Sequence, residues 1–400
     1  MKIAITADIH LKKKNETPER WNAIYNIVQQ MRSENIDTLI IAGDLFDKET
    51  QNYSEFDEFC KKESYIHSTN YLNNKTKSIN NQDSEDNKSS KGNENQNGGG
   101  ENSTNGRIKF YIIPGNHDPS LRPGFFTSGN IKVITSPSVI TSSANHSGKN
   151  AIKFFLIPYT PAKSIGEVIA EEKEKNNIPS NPWILVGHGD YIAGLREPNP
   201  YEPGIYMPLT RNDIDYYNPD RVILGHIHKK MSLGKVYYPG SPCGLDINET
   251  GKRSFLIIDT DTLEIIEKNV KTDYIFFNET LIVLPTTNEF DYIKEKISKM
   301  IKKWEAEEEN IQKIRIRLKV KGFTSDRNKL FNVIKESLKN FSFYNNEEPD
   351  LTEVLLFSDP ERITIIEKVR DQIEKLEWNE EPATKDDILE KALHLVLREI

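Results

Sequence analysis

Five short polar motifs, each following an apolar run, set the pattern of the first two-thirds of this chain. The apolar runs are rich in β-branched residues and about five residues long, which is typical of strands buried on both faces of a sheet. Open α/β sheets place their ligand sites at the carboxyl ends of such strands. The runs and their motifs are Lys2–Thr6 before Asp8-Ile9-His10, Thr38–Ala42 before Gly43–Asp47, Lys109–Ile113 before Gly115–Asp118, Trp183–Val186 before Gly187–Gly189, and Val222–Leu224 before Gly225–His228.

The side chains in these motifs suit divalent cations. They include five of the eight histidines, together with aspartates and one asparagine. A mixture of carboxylate, amide oxygen and imidazole binds cations of intermediate hardness. Two such cations about 3.5–4 Å apart activate water and stabilise the in-line transition state of phosphate-ester hydrolysis. Any single motif is more often an ordinary turn, but their joint occurrence in this order predicts a two-metal phosphoesterase site.

Three residues near the start of the chain are the first candidate ligands. Two cations so close together require a shared anion, and Asp44, at the end of a buried strand, is the best bridging candidate. Asp8 and His10 are two residues apart in what the pattern predicts to be an extended segment. Their side chains should therefore point to one side and share a metal.

Four further candidates come from the later motifs. His226 and His228 repeat the two-residue spacing at another strand end. Asn116 offers a neutral amide oxygen, which keeps the total ligand charge low and the cations electrophilic. His188 supplies a further imidazole.

Length, composition and net charge limit the number of domains, the compartment and the kinds of partner to be expected. A chain of 400 residues suggests two or three domains. No apolar run is long enough to span a bilayer, and Lys2–Ala7 is predicted to be a strand rather than a signal peptide. The two cysteines, Cys60 and Cys243, give no disulfide framework and no zinc spacing, so a reducing cytoplasm is the expected compartment. The net charge of −8 leaves a nucleic-acid partner open, because local field and bound cations outweigh the sum.

The sequence divides into three predicted domains. Residues 1–271 carry the motifs, and within them 72–106 hold ten asparagines and a run of glycines, which predicts a disordered insertion. Pro18–Arg32 has helical spacing, with Thr17 as its expected cap. Residues 272–345 show a β-α-β-α order typical of a small α+β domain. Residues 346–400 are predicted to form two helices, the second starting at a capping-box-like pair of Thr384 and Asp387.

The ordered motifs resemble those of the calcineurin-like metallophosphoesterase superfamily over roughly residues 1–260. The resemblance implies a mixed β-sandwich flanked by helices. It implies that Asp8, His10, Asp44 and His228 hold one metal, and that Asp44, Asn116, His188 and His226 hold the other. His117 would not be a ligand but would contact the phosphate and assist the leaving group. Asp47 would orient His117, and Asp118 is a competing residue that could simply cap the turn after Asn116.

Within that superfamily the chain is similar to the SbcD-type nucleases. Three features carry this resemblance: Ala42–Asp47 after a strand, Tyr238–Pro242 before the strand Ser254–Ile258, and the small domain after the core, like the DNA-capping domain of these nucleases. The resemblance implies manganese-dependent endonuclease and exonuclease activity on DNA ends. It also implies a homodimer and a complex with an SbcC-type ABC ATPase that binds the C-terminal helices.

Several alternatives stay open. A phosphoesterase acting on small phosphodiesters or phosphoproteins is the main one, and a non-catalytic scaffold is disfavoured because no ligand position is lost. The apolar stripes at Ile366–Leu376 and Ile388–Ile400 fit either ATPase binding or packing within their own domain. The run Lys12-Lys13-Lys14 fits either contact with a DNA backbone or solvated surface.

Overall fold

The computed structural model describes residues 1–48, 53–63, 107–142, 151–192, 204–304, 308–357, 359–378 and 384–397. The predicted disordered insertion, 72–106, lies outside these residues. The chain divides into two units: Met1–Cys243 with Arg253–Thr272, and Gly244–Lys252 with Asp273–Ile400. This division differs from the expected one, because residues 244–252 belong to the second unit and 346–400 are not separated from 273–345.

In the residues that the structure describes, the first unit has two large sheets, a two-stranded sheet and four α-helices. Its strands are β1 (Lys2–Thr6), β2 (Thr38–Ala42), β3 (Lys109–Ile113), β4 (Ile131–Val133), β5 (Ser138–Thr141), β6 (Lys153–Leu156), β7 (Trp183–His188), β8 (Tyr191–Ile192), β9 (Leu209–Thr210), β10 (Arg221–Gly225), β11 (Met231–Leu233), β12 (Val236–Tyr238), β13 (Ser254–Asp259) and β14 (Ile265–Asn269). Its helices are α1 (Pro18–Ser33), α2 (Tyr53–Glu63), α3 (Ile165–Glu174) and α4 (Arg211–Tyr217).

The strand order places the motif-bearing strands side by side. One six-stranded sheet has the order β14-β13-β1-β2-β3-β4, and the other β11-β12-β10-β7-β6-β5. Strands β1, β2 and β3 run parallel to one another, as do β7 and β10. Later in this unit the pairing is antiparallel, since β13 pairs in that way with both β1 and β14.

The cores explain why the apolar runs are continuous rather than alternating. Ile184 and Val186 of β7 pack in a cluster that takes side chains from both sheets. Trp183 and Leu185 of the same strand pack in a second cluster that includes Ile165 of α3. A strand buried on both faces needs apolar side chains at every position. The expected mixed α/β fold, with two multi-stranded sheets flanked by helices, is confirmed.

Helix α1 begins at the predicted proline, but its cap is not the predicted one. Thr17 precedes the helix with φ −135° and ψ 63°, and its side chain makes no capping hydrogen bond. Side-chain capping favours an extended backbone at this position, which Thr17 does not adopt. The helix is held instead by its buried face, which includes Trp21, Ile24 and Val28.

The second unit has a parallel sheet and two helical layers. Its strands are β15 (Ile275–Val283), β16 (Ile314–Thr324), β17 (Ser342–Phe343) and β18 (Asp350–Leu356), and β16 pairs in parallel with the other three. Its helices are α5 (Glu289–Lys303), α6 (Arg327–Ser337), α7 (Pro360–Lys375) and α8 (Lys385–Leu397). Thr384 and Asp387 form the predicted reciprocal cap of α8. Within the described residues no helix is long and apolar enough to cross a membrane.

The C-terminal stripe packs inside this unit. Ile366 and Ile373 of α7 are buried in one cluster with Leu389 and Leu393 of α8 and with Leu284. Of the two interpretations of the stripe, the structure therefore favours packing within its own unit.

Candidate metal centre

All five motifs lie directly after, or at the ends of, parallel strands. The motifs after β1, β2 and β3 belong to one sheet, and those at the ends of β7 and β10 belong to the other. Backbone hydrogen bonds join neighbouring motifs: the Asp8 N–H donates to the Gly43 carbonyl at 3.2 Å and the Ile9 N–H to the Asp44 carbonyl at 2.9 Å. The two sheets are joined as well, because the His226 N–H, after β10 of the second sheet, donates to Asp8 Oδ1, after β1 of the first, at 2.9 Å. The candidate ligands are thus held on one connected backbone framework.

Four candidate ligands have left-handed backbone conformations. Asp8, His10, Asp44 and His226 have φ values of 54°, 50°, 50° and 94°. Non-glycine residues adopt this region at an energetic cost, and such residues cluster at functional sites. The expectation that Asp8 and His10 share a side of an extended segment is therefore wrong. They converge because the chain turns sharply after β1, not because the strand continues.

Three overlapping groups of donor atoms form at this edge. Each contains three side chains whose donor atoms lie within 4.8 Å of one another. The groups are Asp8, His10 and His228; Asp8, Asp44 and His188; and His10, Asp44 and His117. Asp8, His10 and Asp44 each lie in two of the groups, and of these Asp44 is the residue that the sequence predicted as the bridging ligand. His117 also lies in one group, although the family resemblance assigns it a role other than metal binding.

Asn116 extends the cluster to the remaining histidine. Its Oδ1 lies 2.8 Å from His188 Nε2 and 3.2 Å from His226 Nδ1. The ring of His228, by contrast, lies near that of His10, with 3.1 Å between their Nε2 atoms. His226 and His228 therefore serve different sides of the cluster despite their strand-like spacing. The structure brings all seven candidate ligands together.

The arrangement of donors fits a bound cation. His188 Nδ1 lies 2.9 Å from the Ala42 carbonyl, which can only accept, so this nitrogen carries hydrogen. The other ring nitrogen then faces two oxygens, Asn116 Oδ1 at 2.8 Å and Asp44 Oδ2 at 3.3 Å. Acceptor atoms this close repel unless a cation or a proton lies among them. Asp8 Oδ2 is likewise buried without a hydrogen-bond partner among the described residues, which is costly unless a cation compensates.

The side chains of the cluster differ in the protonation state that their surroundings favour. Burial alone would lower the pKa of His188, but Asp44 outweighs burial and raises the pKa to about 10. Burial raises the pKa of Asp8 to about 6, although His188 and His228 act to lower it. Burial would also raise the pKa of Asp44, but His188 and His10 hold it below its usual value. Burial lowers the pKa of His10 well below its usual value. The neutral His10 imidazole and the ionised Asp44 carboxylate are the forms that bind metal, whereas His188 must release a proton to bind one.

Asp118 caps its turn and ties two motifs together. Its Oδ1 accepts from the Gly115 N–H at 2.7 Å, and its Oδ2 accepts from the Phe46 N–H at 3.1 Å. Burial and the nearby Asp44 raise the pKa of Asp118 to about 7. The structure gives Asp118 the capping role that the sequence left as an alternative.

Asp47 lies next to two basic side chains. Its Oδ2 is 3.5 Å from Arg20 Nη1 and 3.6 Å from Lys12 Nζ. His117, the residue that Asp47 is predicted to orient, is half-buried, and its backbone N–H donates to Asp44 Oδ1 at 2.8 Å. The pairing of Asp47 with His117 stays a prediction.

Motif glycines allow the loops to approach closely. A Cβ on Gly43, where φ is 91°, would lie 2.0 Å from His188 Nδ1. A Cβ on Gly115 would lie 2.1 Å from Asp44 Oδ1. Glycine is therefore required at both positions to leave room for the proposed ligands.

Three residues around the site were not predicted from the sequence. Asp190 follows Gly187–Gly189 and is buried with its Oδ2 3.8 Å from His226 Nε2. Arg20 donates to the His10 carbonyl, and Arg253 donates to the His228 carbonyl. Asp190 extends a motif that the sequence already marked, whereas the two arginines lie outside the motifs and carry no local signal.

Comparisons with known proteins point to one family. The model of the calcineurin-like phosphoesterase family matches residues 1–230. The uncharacterized metallophosphoesterase YhaO of Bacillus subtilis (strain 168) is 26% identical over 159 residues, which cover 38% of this chain and 36% of that protein. A protein named as phosphoesterase 078R, from Invertebrate iridescent virus 3, is 25% identical over 173 residues, covering 40% of this chain and 46% of that protein. The chain thus spans less than half the length of these relatives.

Among solved structures, TT1561 of Thermus thermophilus is similar with a TM-score of 0.36 and 12% identity. The match covers 68% of this chain and 99% of that one.

Proposed function

Because this chain belongs to the calcineurin-like phosphoesterase family, we propose that it cleaves DNA phosphodiesters at a site for two divalent cations. We propose Mn²⁺ as the ion and a role as the nuclease subunit of an SbcCD-like complex that repairs double-strand breaks. The observation that carries the hydrolytic part is the convergence of two carboxylates, one amide and four imidazoles at the carboxyl ends of five strands. A site with this donor set suits two cations and the in-line displacement they support.

In the proposal Asp44 is the shared ligand. Asp8, His10 and His228 complete one site, and the other takes the remaining donors, Asn116, His188 and His226. When bound, the two cations would supply Lewis acidity that activates water and neutralises charge developing on the phosphoryl oxygens. The protein's own contribution is to fix these donors before substrate arrives, which the buried backbone framework supports.

His117 is the proposed proton donor to the leaving alkoxide. Its backbone N–H donates to Asp44 Oδ1, and the centroid of its ring lies 4.5 Å from that of His10. A half-buried imidazole at the edge of the donor cluster can reach substrate and solvent, as an acid catalyst must. Asp47 is the proposed positioning residue for this ring.

DNA as the substrate is supported by the second unit and by local charge. Strand β16 alternates buried apolar side chains with Arg315, Arg317 and Lys319, and hydrolysis of a small diester requires no second folded unit of this kind. Arg317 pairs with Glu347 and Lys319 with Glu353, whereas Arg315 forms no ion pair with another described residue. After the first motif, Lys12 pairs with Asp47 and Lys13 with Glu16, and Lys14 adds a positive charge without an ion pair among the described residues. Cations of this kind bind the phosphate backbone without reading sequence.

The ATPase part of the proposal concerns α7 and α8. The stripe through Ile366 and Ile373 is packed internally, so the proposed docking residues are exposed apolar ones, Ile365, Leu376 and Leu395. Apolar side chains on an amphipathic helix are what a groove on a partner recognises.

The decisive assay uses the full chain with Mn²⁺ on linear duplex DNA, hairpin DNA and a small diester, each with and without an SbcC-type ATPase. We expect cleavage of DNA. Hydrolysis of the small diester alone, even with the ATPase present, would replace the nuclease proposal with the small-substrate one.

A second assay tests the assignment of His117. His117→Ala should keep both metals, measured by elemental analysis, while losing about 100-fold or more of turnover. If metal content falls in parallel with turnover, His117 is a ligand, as its group with His10 and Asp44 allows.

A further inference from the structure

An aromatic stack reaches the surface beside the metal centre. The ring of Phe125, 39% exposed, lies on that of Tyr53 with centroids 4.3 Å apart and planes inclined by 20°. Phe46 packs edge-on against Tyr53 at 5.1 Å, and Phe56 backs Phe46 at 5.9 Å. The pair therefore rests on a buried aromatic cluster, which keeps the outer ring in a fixed plane.

Hydrogen bonds connect this stack to the ligand motifs. Phe46 follows Asp44 in the same motif, and its N–H donates to Asp118, which also accepts from Gly115. Burial and the Asp118 carboxylate raise the pKa of Tyr53, and a hydrogen bond with Ser120 acts to lower it. Tyr53 thus lies close to the turn that carries Asn116 and His117.

Two basic residues belong to segments that adjoin the stack. Arg122 is exposed in the loop between Asp118 and Phe125, and its guanidinium forms no ion pair with another described residue. Lys14 is also exposed, and its backbone N–H donates at 2.9 Å to Glu55 in the first turn of α2, which begins at Tyr53. Its ammonium likewise has no ion-pair partner in the part of the chain that the structure describes.

A flat exposed ring with flanking unpaired cations matches the chemistry of a nucleotide. We propose that Phe125, backed by Tyr53, stacks on the nucleobase next to the scissile phosphate, while Arg122 and Lys14 bind neighbouring phosphates of the same strand. The inference rests on the proposed DNA phosphodiesterase function and names how that substrate is held. Stacking of this kind tolerates any sequence because every base has a π-face, whereas the phosphate contacts depend on salt.

Stacking is tested with an oligonucleotide and its abasic counterpart, using Phe125→Ala, Phe125→Trp and a control, Tyr216→Ala. Tyr216 is an exposed aromatic residue, 68% accessible, that packs against Tyr217 on α4. We expect Phe125→Ala to lower kcat/KM on the base-containing strand by roughly 10- to 100-fold. Removing the base should cost the wild type a similar factor, and the two losses should not add. Phe125→Trp should retain most of the activity, and Tyr216→Ala should behave as wild type.

Binding without cleavage separates this inference from the proposed function. Fluorescence anisotropy of the same oligonucleotides in EDTA should show base-dependent affinity that Phe125→Ala removes. Arg122→Gln should weaken binding to all sequences and reduce the salt slope by about 1. Base-dependent binding in EDTA, combined with no DNA cleavage when Mn²⁺ is supplied, would support the stacking platform and overturn the nuclease function. The platform would be overturned if wild type and Phe125→Ala bound, or cleaved, the base-containing and abasic strands equally. It would also be overturned if the wild type bound no oligonucleotide.

Discussion

At the scale of single residues, two buried arginines hold the backbone of two candidate ligands by hydrogen bonds. Arg20 on α1 donates to the His10 carbonyl, and Arg253 donates to the His228 carbonyl and, at 3.0 Å, to the Ser241 carbonyl. His10 and His228 are the two imidazoles whose Nε2 atoms lie 3.1 Å apart. Groups that fix the orientation of ligands influence metal affinity nearly as much as the ligands do.

Arg20→Met should weaken metal binding about 10- to 100-fold while the fold is kept, because the His10 carbonyl loses its charged donor. Isothermal titration with Mn²⁺ measures this directly. The matched control is Arg32→Met on the same helix, since Arg32 also donates to a backbone carbonyl, that of Glu63, away from the site. Equal affinities for the two variants would show that Arg20 acts only on folding.

Gly115→Ala should disrupt the centre by steric overlap with the Asp44 carboxylate, 2.1 Å from the added Cβ. Overpacking of this kind costs about 1–3 kcal/mol of stability, and here it also displaces the proposed bridging ligand. Thermal unfolding and metal content measure the two effects. Gly124→Ala, where a Cβ meets nothing within 4 Å, is the control. A Gly115→Ala protein with normal metal content would remove Asp44 from the proposed role.

At the scale of elements, the amphipathic helix α7 illustrates what a pattern leaves open. Its stripe predicted an apolar face correctly, but a 3.6-residue period does not say whether that face meets the same chain or a partner. The structure buries Ile366 against α8 and leaves its neighbour Ile365 49% exposed.

Ile366→Ala should lower the free energy of unfolding by about 2–5 kcal/mol, because it leaves a cavity in the cluster with Leu389 and Leu393. Ile365→Ala should change it by less than about 0.5 kcal/mol. Urea denaturation of both variants makes the comparison. A small effect at Ile366 would mean that the stripe is available to a partner after all.

The strands and ligands differ in how far sequence could predict them. Continuous apolar runs gave the positions of β1, β2, β3, β7 and β10 closely, because strands buried on both faces leave a local signal. The positive φ of Asp8 and His10 left no such signal, since it is imposed by the contacts of the folded loops. The same holds for Arg20 and Arg253, whose acceptors are distant in sequence or lie on another strand end. The strands and the candidate ligands could therefore be predicted from residue types and their order in the sequence. The backbone geometry of the ligands and the side chains that support them could not.

At the scale of the whole molecule, each unit has its own buried core, so metal should stabilise only one of them. Mn²⁺ at about 100 times its dissociation constant should add about 2.7 kcal/mol to the unfolding free energy of the first unit. Differential scanning calorimetry should show one transition moving upward and another remaining in place. EDTA should reverse the shift. A shift of both transitions by equal amounts would contradict a metal site confined to the first unit.

The second unit is discontinuous in the sequence, because residues 244–252 belong to it and are followed by a segment of the first unit. Residues 244–252 bond within the second unit, through the Gly251 N–H to the Phe276 carbonyl at 2.9 Å and through Asn248 to Asn278 at 2.8 Å. During translation this segment is synthesised before its partners, so it cannot make these contacts until the chain beyond Thr272 has been added. Recombination that exchanged everything after Thr272 would leave the segment without its partners. The two units can therefore be shuffled between genes only if two separate stretches change together.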